Sequence, residues 1–365
     1  MRVLVLVADY PSANKIPLMY VHVRNKYYIQ DGIDVVVLNF RAKADYVLDG
    51  ISVITLSTFK RNIKTSNYDL AISHAANIRN HYRFLKMYNS HFPRLLFFFH
   101  GHEILKLNVV YPKPYAYMPR NSKVGALFIS AYDTFKLYAW RKYFNKLLVK
   151  SFFVFVSNYI FREFNRFVKP IKPLQPDQYA IIYNCIGRVF ESLQYTPQST
   201  LKYDFVTIRS YLDQSTYAVD TIINTAFKYP NYKFCLVGCG RFFDYYQKPD
   251  NVEFLDCYLT HDQIVELLNH SRCALMPTRH DTQGLLACEM ATFGIPLITS
   301  DIPVCIEVFS EFKNVFLAKT VDNAVELNED ALNALCDGTP YRKCDKYFAR
   351  NTVKGEIDII KNMGN

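Results

Sequence analysis

Short unbroken apolar runs recur along the chain, separated by longer stretches in which apolar positions return every three or four residues. In the first half these runs fall at 2–8 (RVLVLVA), 33–39 (IDVVVLN), 51–55 (ISVIT), 69–73 (DLAIS), 94–99 (RLLFFF) and 152–156 (FFVFV). Each has strand length, and a strand apolar on both faces belongs in a parallel sheet covered on both sides. The intervening segments 17–30, 77–89 and 130–149 predict helices. The second half repeats the alternation. Strands are expected at 179–183, 203–208, 232–237, 252–255, 272–276 and 296–299, and helices at 217–228, 261–270 and 285–293, with a polar helical stretch over 340–363. This order predicts an α/β protein of two Rossmann-like parallel-sheet domains facing a cleft, with ligand held at the carboxyl ends of the strands.

Between the halves the text changes to VKPIKPLQPD (168–177), where three prolines within seven residues exclude a helix or a central strand. The predicted division is therefore a first domain over 1–167, a linker over 168–178 and a second domain over 179–340. A C-terminal helix within 341–365 is expected to cross back to the first domain. The length of 365 residues suits two such domains.

Half of the residues are hydrophobic, which excludes a disordered chain. The opening MRVLVLVADY reads as a strand and not as a signal peptide, and no apolar run approaches the roughly 20 residues of a membrane span. All nine cysteines lie beyond residue 184 without a CxxC pair, so reduced thiols in a cytoplasmic protein are expected and a metal site is not. Charge is uneven. Residues 1–170 hold 25 Lys and Arg against 9 Asp and Glu, a net +16, and the remainder hold 18 against 24, a net −6. A basic half with a high aromatic load suits an anionic membrane surface or nucleic acid, and no nucleic-acid-binding motif is present.

The most informative stretch is RHDTQGLLACEMATFGIPLITSD, 279–301. A strand ends near Pro277, a loop carries Arg279, Asp281 and Gly284, and a helix runs from Leu285 to a stop at Gly294. The first amides of that helix lack internal partners and carry the positive end of its dipole, so a phosphate can sit there. Asp281 before the helix and Glu289 one turn inside it are placed to accept hydrogen bonds from sugar hydroxyls. The bland alternative is a capped surface helix with ordinary acids.

This segment resembles that of the GT-B glycosyltransferases of family 4, the retaining nucleotide-sugar enzymes. Their signature is an acid, seven residues and a second acid, with glycine three after the first, as in D281-TQG-LLAC-E289-MATFG-IPLITSD. The resemblance implies that Glu289 holds the ribose hydroxyls, that Asp281 contacts the donor sugar, and that the Gly284, Leu285 and Leu286 amides face sugar or phosphate. Asp281 stands where the family has Glu, one methylene longer. FVTIRSYLDQSTYAVD (205–220) is similar to the family's strand, Arg, loop and helix, and implies that Arg209 grips the diphosphate. The family's Lys-Gly pair is replaced by Tyr217-Ala218, which leaves Arg279 as a candidate second cation. LVGCGR (236–241) resembles the glycine turn in which Gly238 and Gly240 approach the nucleotide, and Asp256 replaces a family glycine after the next strand. Asn184 and Phe190 match the segment after the linker.

In the first half, HGHE (100–103) places His100 where the family often has a histidine near the donor sugar; the alternative is a sheet-end cap. The HGHE spacing is not that of a helical metal site. Ser12, Ala13 and Asn14 occupy the loop that the resemblance places at the acceptor and the donor diphosphate. His22 reads as helix packing. In DTFKLYAWRKYFNKLLVK (133–150), Trp140, Tyr143, Phe144, Leu147 and Leu148 share one face against Lys136, Arg141, Lys142, Lys146 and Lys150. That face is expected either in the core or in a lipid interface.

The resemblance as a whole implies transfer of a hexosyl or N-acetylhexosaminyl group from a UDP- or GDP-sugar, with retention and no obligatory metal or other cofactor. The acceptor implied is a glycan or a polyprenyl-diphosphate-linked glycan, in surface-polysaccharide (O-antigen or capsule) synthesis. The enzyme would be cytoplasmic, with peripheral residence on the inner membrane face as an extension. The alternatives are a non-catalytic GT-B-like glycan-binding or scaffold protein and a nucleotide-sugar epimerase.

Overall fold

The computed structural model describes residues 1–12, 17–118, 122–336 and 341–364. It contains two compact units, one of Met1–Lys106, Ala131–Cys185 and Ala349–Asn365, the other of Leu107–Ser130 and Ile186–Phe348. In chain order the α-helices are α1 (Met19–Gln30), α2 (Leu56–Asn62), α3 (Arg83–Tyr88), α4 (Leu107–Val110), α5 (Lys123–Leu147), α6 (Asn158–Phe167), α7 (Arg188–Ser192), α8 (Val219–Lys228), α9 (His261–Asn269), α10 (Leu285–Phe293), α11 (Pro303–Phe309), α12 (Glu329–Leu335) and α13 (Val353–Gly364).

The first unit is built on strands β1 (Arg2–Val7), β2 (Asp34–Asn39), β3 (Tyr46–Leu48), β4 (Ile51–Ile54), β5 (Leu70–His74), β6 (Arg94–Phe99), β7 (Ser151–Phe155) and β8 (Tyr179–Ile181). They form one sheet in the order β3-β4-β2-β1-β5-β6-β7-β8, parallel throughout except for the β3–β4 pair. The period-two geometry of a strand divides each apolar run between two layers. Leu4 and Leu6 join one core with Phe97, Phe99, Phe153 and Phe155, and Val3, Val5 and Val7 join the other with Leu96, Phe98 and Val154. α5 lies on the first of these faces. Trp140 stacks on Phe144 with ring centroids 4.8 Å apart, and both pack on Phe97.

This corrects the lipid reading of the Trp140 face. Trp140, Tyr143, Phe144 and Leu147 are buried and Leu148 is partly so, because they cover the phenylalanines of β6 and β7. The domain boundaries also differ from the expected ones. β8 pairs with β7, so residues 179–181 complete the first sheet, and the proline run 168–177 only joins α6 to β8. Residues 107–130 leave the first half of the chain to pack in the second unit, which continues to Phe348.

α13 packs on the first unit against α1, β5 and β6. Its anchor is a buried ion pair. Arg24 Nε donates to Glu356 Oε1 at 2.8 Å, Arg24 Nη2 donates to Asn184 Oδ1 at 2.7 Å, and the Tyr28 hydroxyl donates to Glu356 Oε2 at 2.5 Å. Both members of the ion pair have fully inaccessible side chains.

The second unit has β9 (Tyr203–Tyr211), β10 (Phe234–Cys239), β11 (Val252–Leu255), β12 (Ser271–Met276), β13 (Leu297–Ser300) and β14 (Val315–Ala318), all parallel in the order β11-β10-β9-β12-β13-β14. A two-stranded hairpin, β15 (Thr320–Val321) and β16 (Ala324–Val325), rests on α8. The chain winds outward from β9 to β11 in one direction and from β12 to β14 in the other. The carboxyl ends of β9 and β12 therefore border a topological switch point, where α/β sheets hold ligands.

The Arg24–Glu356 pair yields a stability prediction. Glu356→Ala leaves a guanidinium buried without its partner and should destabilise the first unit by about 3–5 kcal/mol. The joint change Arg24→Met with Glu356→Leu should cost much less. The single tryptophan, Trp140, reports this unit in a denaturant titration.

Candidate functional site

The loop from β12 to α10 is folded by the first acid of the signature. Asp281 Oδ1 accepts hydrogen bonds from the amides of Thr282 at 2.7 Å, Gln283 at 3.2 Å and Gly284 at 2.7 Å. Gly284 sits in the left-handed region (φ 71°, ψ 60°), and a Cβ there would lie 3.1 Å from Asp281 Oδ2. Glycine is thus required by the backbone and by the carboxylate together. The turn delivers the chain into α10, whose first amides, Leu285 and Leu286 among them, have no intrahelical acceptor and bear the positive end of the dipole.

Glu289 is buried one turn further on, and its Oε1 accepts the Gly187 amide at 2.9 Å. Burial raises its carboxyl to about 7, against the opposing effect of the Gly187 N–H. The His261 imidazole, at the start of α9, lies on the same glycine and meets the Phe190 ring edge-on at 5.2 Å. A carboxyl that titrates near neutrality in such a place can accept hydrogen bonds from ligand hydroxyls once ionised.

Arg209, at the carboxyl end of β9, is 8% exposed. Its Nη2 donates to Pro277 O at 2.6 Å, its guanidinium lies 5.1 Å from the Tyr217 ring centre, and its buried Nε has no partner among the described residues. Burial lowers its pKa, partly offset by the Asp281 charge. Arg209, Thr278, Asp281, Gln283 and Gly284 line one small cavity. Gly238 supports this arrangement from β10, since a Cβ at its φ of 149° would come within 2.1 Å of the Arg209 carbonyl oxygen. Ala218, where the resemblance expects glycine, keeps a left-handed backbone at φ 52°, a strain of about 1–2 kcal/mol.

Arg279 has a different task from the diphosphate clamp expected of it. It forms a bidentate pair with Asp220 at 2.8 and 2.7 Å and donates further to Ser215 O and Asn323 Oδ1. Against burial, which raises it, Arg279 and Asn323 hold the Asp220 carboxyl below the usual range. These contacts fasten the β9–α8 loop to the β15–β16 turn and leave the guanidinium no donor pair in reserve.

Of the residues expected in the first unit, His100 stands just past β6. Its Nε2 lies 3.1 Å from His74 Nδ1 at the end of β5, and Tyr20 packs on its ring at 4.7 Å. Burial, then the Arg24 guanidinium, keeps the His100 imidazole well below its usual pKa and therefore neutral. Glu103 is committed to the backbone amides of His100 and Gly101. His22 is a packing residue between Tyr10, at 2.9 Å, and Asp49, at 3.2 Å. Asn184 serves Arg24. Ser12 is half-buried after β1, whereas Ala13 and Asn14 lie outside the described residues.

Three contributors escaped the sequence reading. His74 carries the only local signal available, a polar ring ending the strand LAISH. Asp213 accepts the Arg241 amide at 3.1 Å and organises the turn after β10. The segment YPKPYAYM (111–118) packs across the second unit: Tyr111 covers His280 at 4.4 Å, Tyr115 donates to Asp220 at 2.8 Å, and Tyr117 donates to Asp213 at 2.7 Å while stacking on Tyr245 at 4.2 Å. Its tyrosine and proline content marks it in retrospect.

The buried Glu289 makes stability depend on pH in a defined sense. Its folded pKa of about 7 exceeds the ordinary value of 4.5, so the folded state holds the proton more tightly. Stability is lost as pH rises from about 4.5 through about 7, by at most about 3 kcal/mol. Glu289→Gln, which retains an acceptor for Gly187, should raise Tm relative to the parent at pH 8 and lose that advantage at pH 5. Thermal melts at the two pH values check this.

Known proteins share this fold. Residues 211–351 match the family model described as glycosyl transferases group 1. The whole chain superposes on a sucrose-phosphate synthase from Thermosynechococcus elongatus with a TM-score of 0.67 at 14% identity, covering 100% of this chain and 95% of that one. A trehalose-6-phosphate protein from E. coli bound with UDP-2-fluoro glucose gives 0.60 at 9% identity, with 100% and 99% covered. WaaG, a glycosyltransferase involved in lipopolysaccharide biosynthesis, gives 0.61 at 12%, with 99% of each chain covered. No curated protein sequence matches the chain. The fold is that of the GT-B glycosyltransferases, and within it residues 211–351 carry the match to glycosyl transferases group 1.

Proposed function

We propose that the protein is a glycosyltransferase of family 4 type that moves a hexosyl or N-acetylhexosaminyl group from a UDP- or GDP-sugar to a glycan or lipid-linked glycan, with retention of configuration and without an obligatory metal. The observation that carries this reading is the buried Arg209 guanidinium, with an unpartnered Nε, in one cavity with the Asp281–Gly284 turn that starts α10. A fixed cation beside the amino end of a helix suits a diphosphate. It stabilises the charge that grows as the glycosidic bond to the leaving diphosphate breaks. Glu289, one turn along the helix, takes the ribose hydroxyls in its ionised form. Asp281 acts chiefly as the organiser of the turn, and its Oδ2 faces the donor sugar. The first unit takes the acceptor, with the neutral His100 as a polar contact to the transferred sugar. Rate comes from orientation and charge stabilisation, with no nucleophile from the enzyme. The role is in surface-polysaccharide synthesis on the cytoplasmic side.

A second reading has one specific observation in its favour. Tyr217 occupies the place of the clamp lysine and Arg279 is tied to Asp220, so the diphosphate meets one cation where the family pattern has two. A protein that binds nucleotide sugar without turning it over would fit this.

Thermal shift with UDP, GDP, ADP and CMP separates these readings. One nucleoside diphosphate should stabilise the parent protein, and Arg209→Ala and Glu289→Ala should each abolish the shift. Binding should weaken about tenfold per pH unit below 7, as Glu289 takes up its proton. Transfer from the matching sugar nucleotide, with the product anomer read by NMR, supports the enzyme. Binding with neither transfer nor donor hydrolysis supports the second reading, and the absence of any shift removes both.

A further inference from the structure

β5 and β6 are neighbours in the first sheet, and His74 pairs in register with Phe98, so the two strands end side by side. The chain leaves each of them through a residue of positive φ, Ala75 at 48° and Gly101 at 141°. His74 and His100 are thereby held at the same end of the sheet. His74 is fully buried, with its ring stacked on Phe98 at 4.4 Å and on His100 at 5.4 Å. Its Nδ1 lies 3.1 Å from His100 Nε2, and its Nε2 has no partner among the described residues. His100 is partly exposed, and its backbone amide donates to Glu103. Its Nδ1 makes no hydrogen bond among the described residues, which leaves that nitrogen to meet a ligand. Burial keeps both imidazoles well below their usual pKa, so neither ring is charged. Two neutral imidazoles that meet at one hydrogen bond must divide the roles, one N–H donating and one lone pair accepting.

Two assignments satisfy that condition. If His100 Nε2 donates, His74 carries its proton on Nε2, and that N–H is buried without an acceptor. If His74 Nδ1 donates, its buried Nε2 keeps only a lone pair, and His100 carries its proton on Nδ1. A buried N–H without an acceptor is a rarer defect than an under-used acceptor, which selects the second. We infer that His74 is a positioning residue that locks His100 in its Nδ1–H tautomer and in one ring orientation, so that His100 offers a ligand a fixed hydrogen-bond donor. Among the described residues the chain of hydrogen bonds ends at His74 Nε2, so the pair holds a proton in place and does not relay one. The atom recognised is accordingly an oxygen with a free lone pair, such as a sugar hydroxyl or the oxygen that departs with the diphosphate. His81 is the contrast within the same unit. Its Nδ1 accepts the Asn77 amide at 3.3 Å and its Nε2 lies 3.2 Å from the Leu6 carbonyl, which fixes the opposite, Nε2–H tautomer. The catalytic use of the His100 donor rests on the sugar-transfer reading; the tautomer itself does not.

Long-range proton–nitrogen NMR of the ligand-free full chain, labelled with nitrogen-15 at histidine, reads the tautomers directly. Near neutral pH, His74 and His100 should show the Nδ1–H pattern and His81 the Nε2–H pattern, each assigned by the signal lost on substitution. His74→Phe keeps a ring on Phe98 but has no N–H, and it should release His100 from the Nδ1–H form. His74→Asn, whose side-chain amide nitrogen takes the place of Nδ1, should retain that form. With the donor nucleotide that thermal shift selects, His74→Phe should lower kcat at least about tenfold while KM for the donor stays within about twofold, and His74→Asn should recover most of the loss. An Nε2–H signal for His100 in the parent protein overturns the inference, and that result needs no variant to fold. A His100 tautomer unchanged in His74→Phe, or an unchanged kcat there, overturns the positioning role. If the parent turns over no sugar nucleotide while the histidine signals follow the expected pattern, the sugar-transfer reading fails and the tautomer lock stands.

Discussion

A guanidinium that is buried, held by one carbonyl and left with an unbonded N–H needs an anion nearby, and much of the second unit is arranged around that need. Arg209 is fixed by position, because β9 ends at the switch point and Pro277, leaving β12, supplies the carbonyl that orients it. Gly238 lets β10 approach the backbone of the same residue, and Tyr217 covers its planar face. Asp281 contributes a compensating charge at a distance while its oxygen is occupied with three amides. The result is a pre-oriented cation in a low-dielectric setting, where an anion would meet little competition from water.

The second carboxyl makes the complementary point. Glu289 is held where ionisation is costly, and nothing among its described contacts beyond the Gly187 amide offsets that burial. A residue that lowers folding stability at neutral pH and is nonetheless built into a helix interior is a mark of function. Arg24 and Glu356 make the opposite case. There both charges are buried and fully paired, and their service is to fasten α13 to the first unit.

The parallel sheets were legible because unbroken apolar strands such as VLVLV and LLFFF have few other uses. The acid–glycine–acid segment was legible as well, since its strand, turn and helix follow from local rules. What escaped depends on contacts distant in sequence. β3 and β14, each at the edge of its sheet, went unread. The proline run looked like a domain boundary, but the strand after it completes the first sheet. Arg279 looked available, yet its partner Asp220 lies 59 residues away. Residues 111–118 have no period at all and are held by side-chain contacts to Asp220, Asp213 and Tyr245.

α5 shows why periodicity locates a helix better than it orients one. Both faces carry aromatics, so the hydrophobic pattern is close to symmetric and cannot choose which side is buried. The sheet beneath makes the choice. Phe97, Phe99 and Phe153 present wide surfaces that Trp140 and Phe144 cover in edge-on contacts. The other face carries Lys142 and Lys146 beside its aromatics, and it would bury those charges if it were turned inward. The asymmetry that sets the orientation therefore lies in the charges, since ammonium groups cannot be taken into an apolar layer without partners. Lys136, the basic residue that is turned inward, has Asp133 and two carbonyls to receive it.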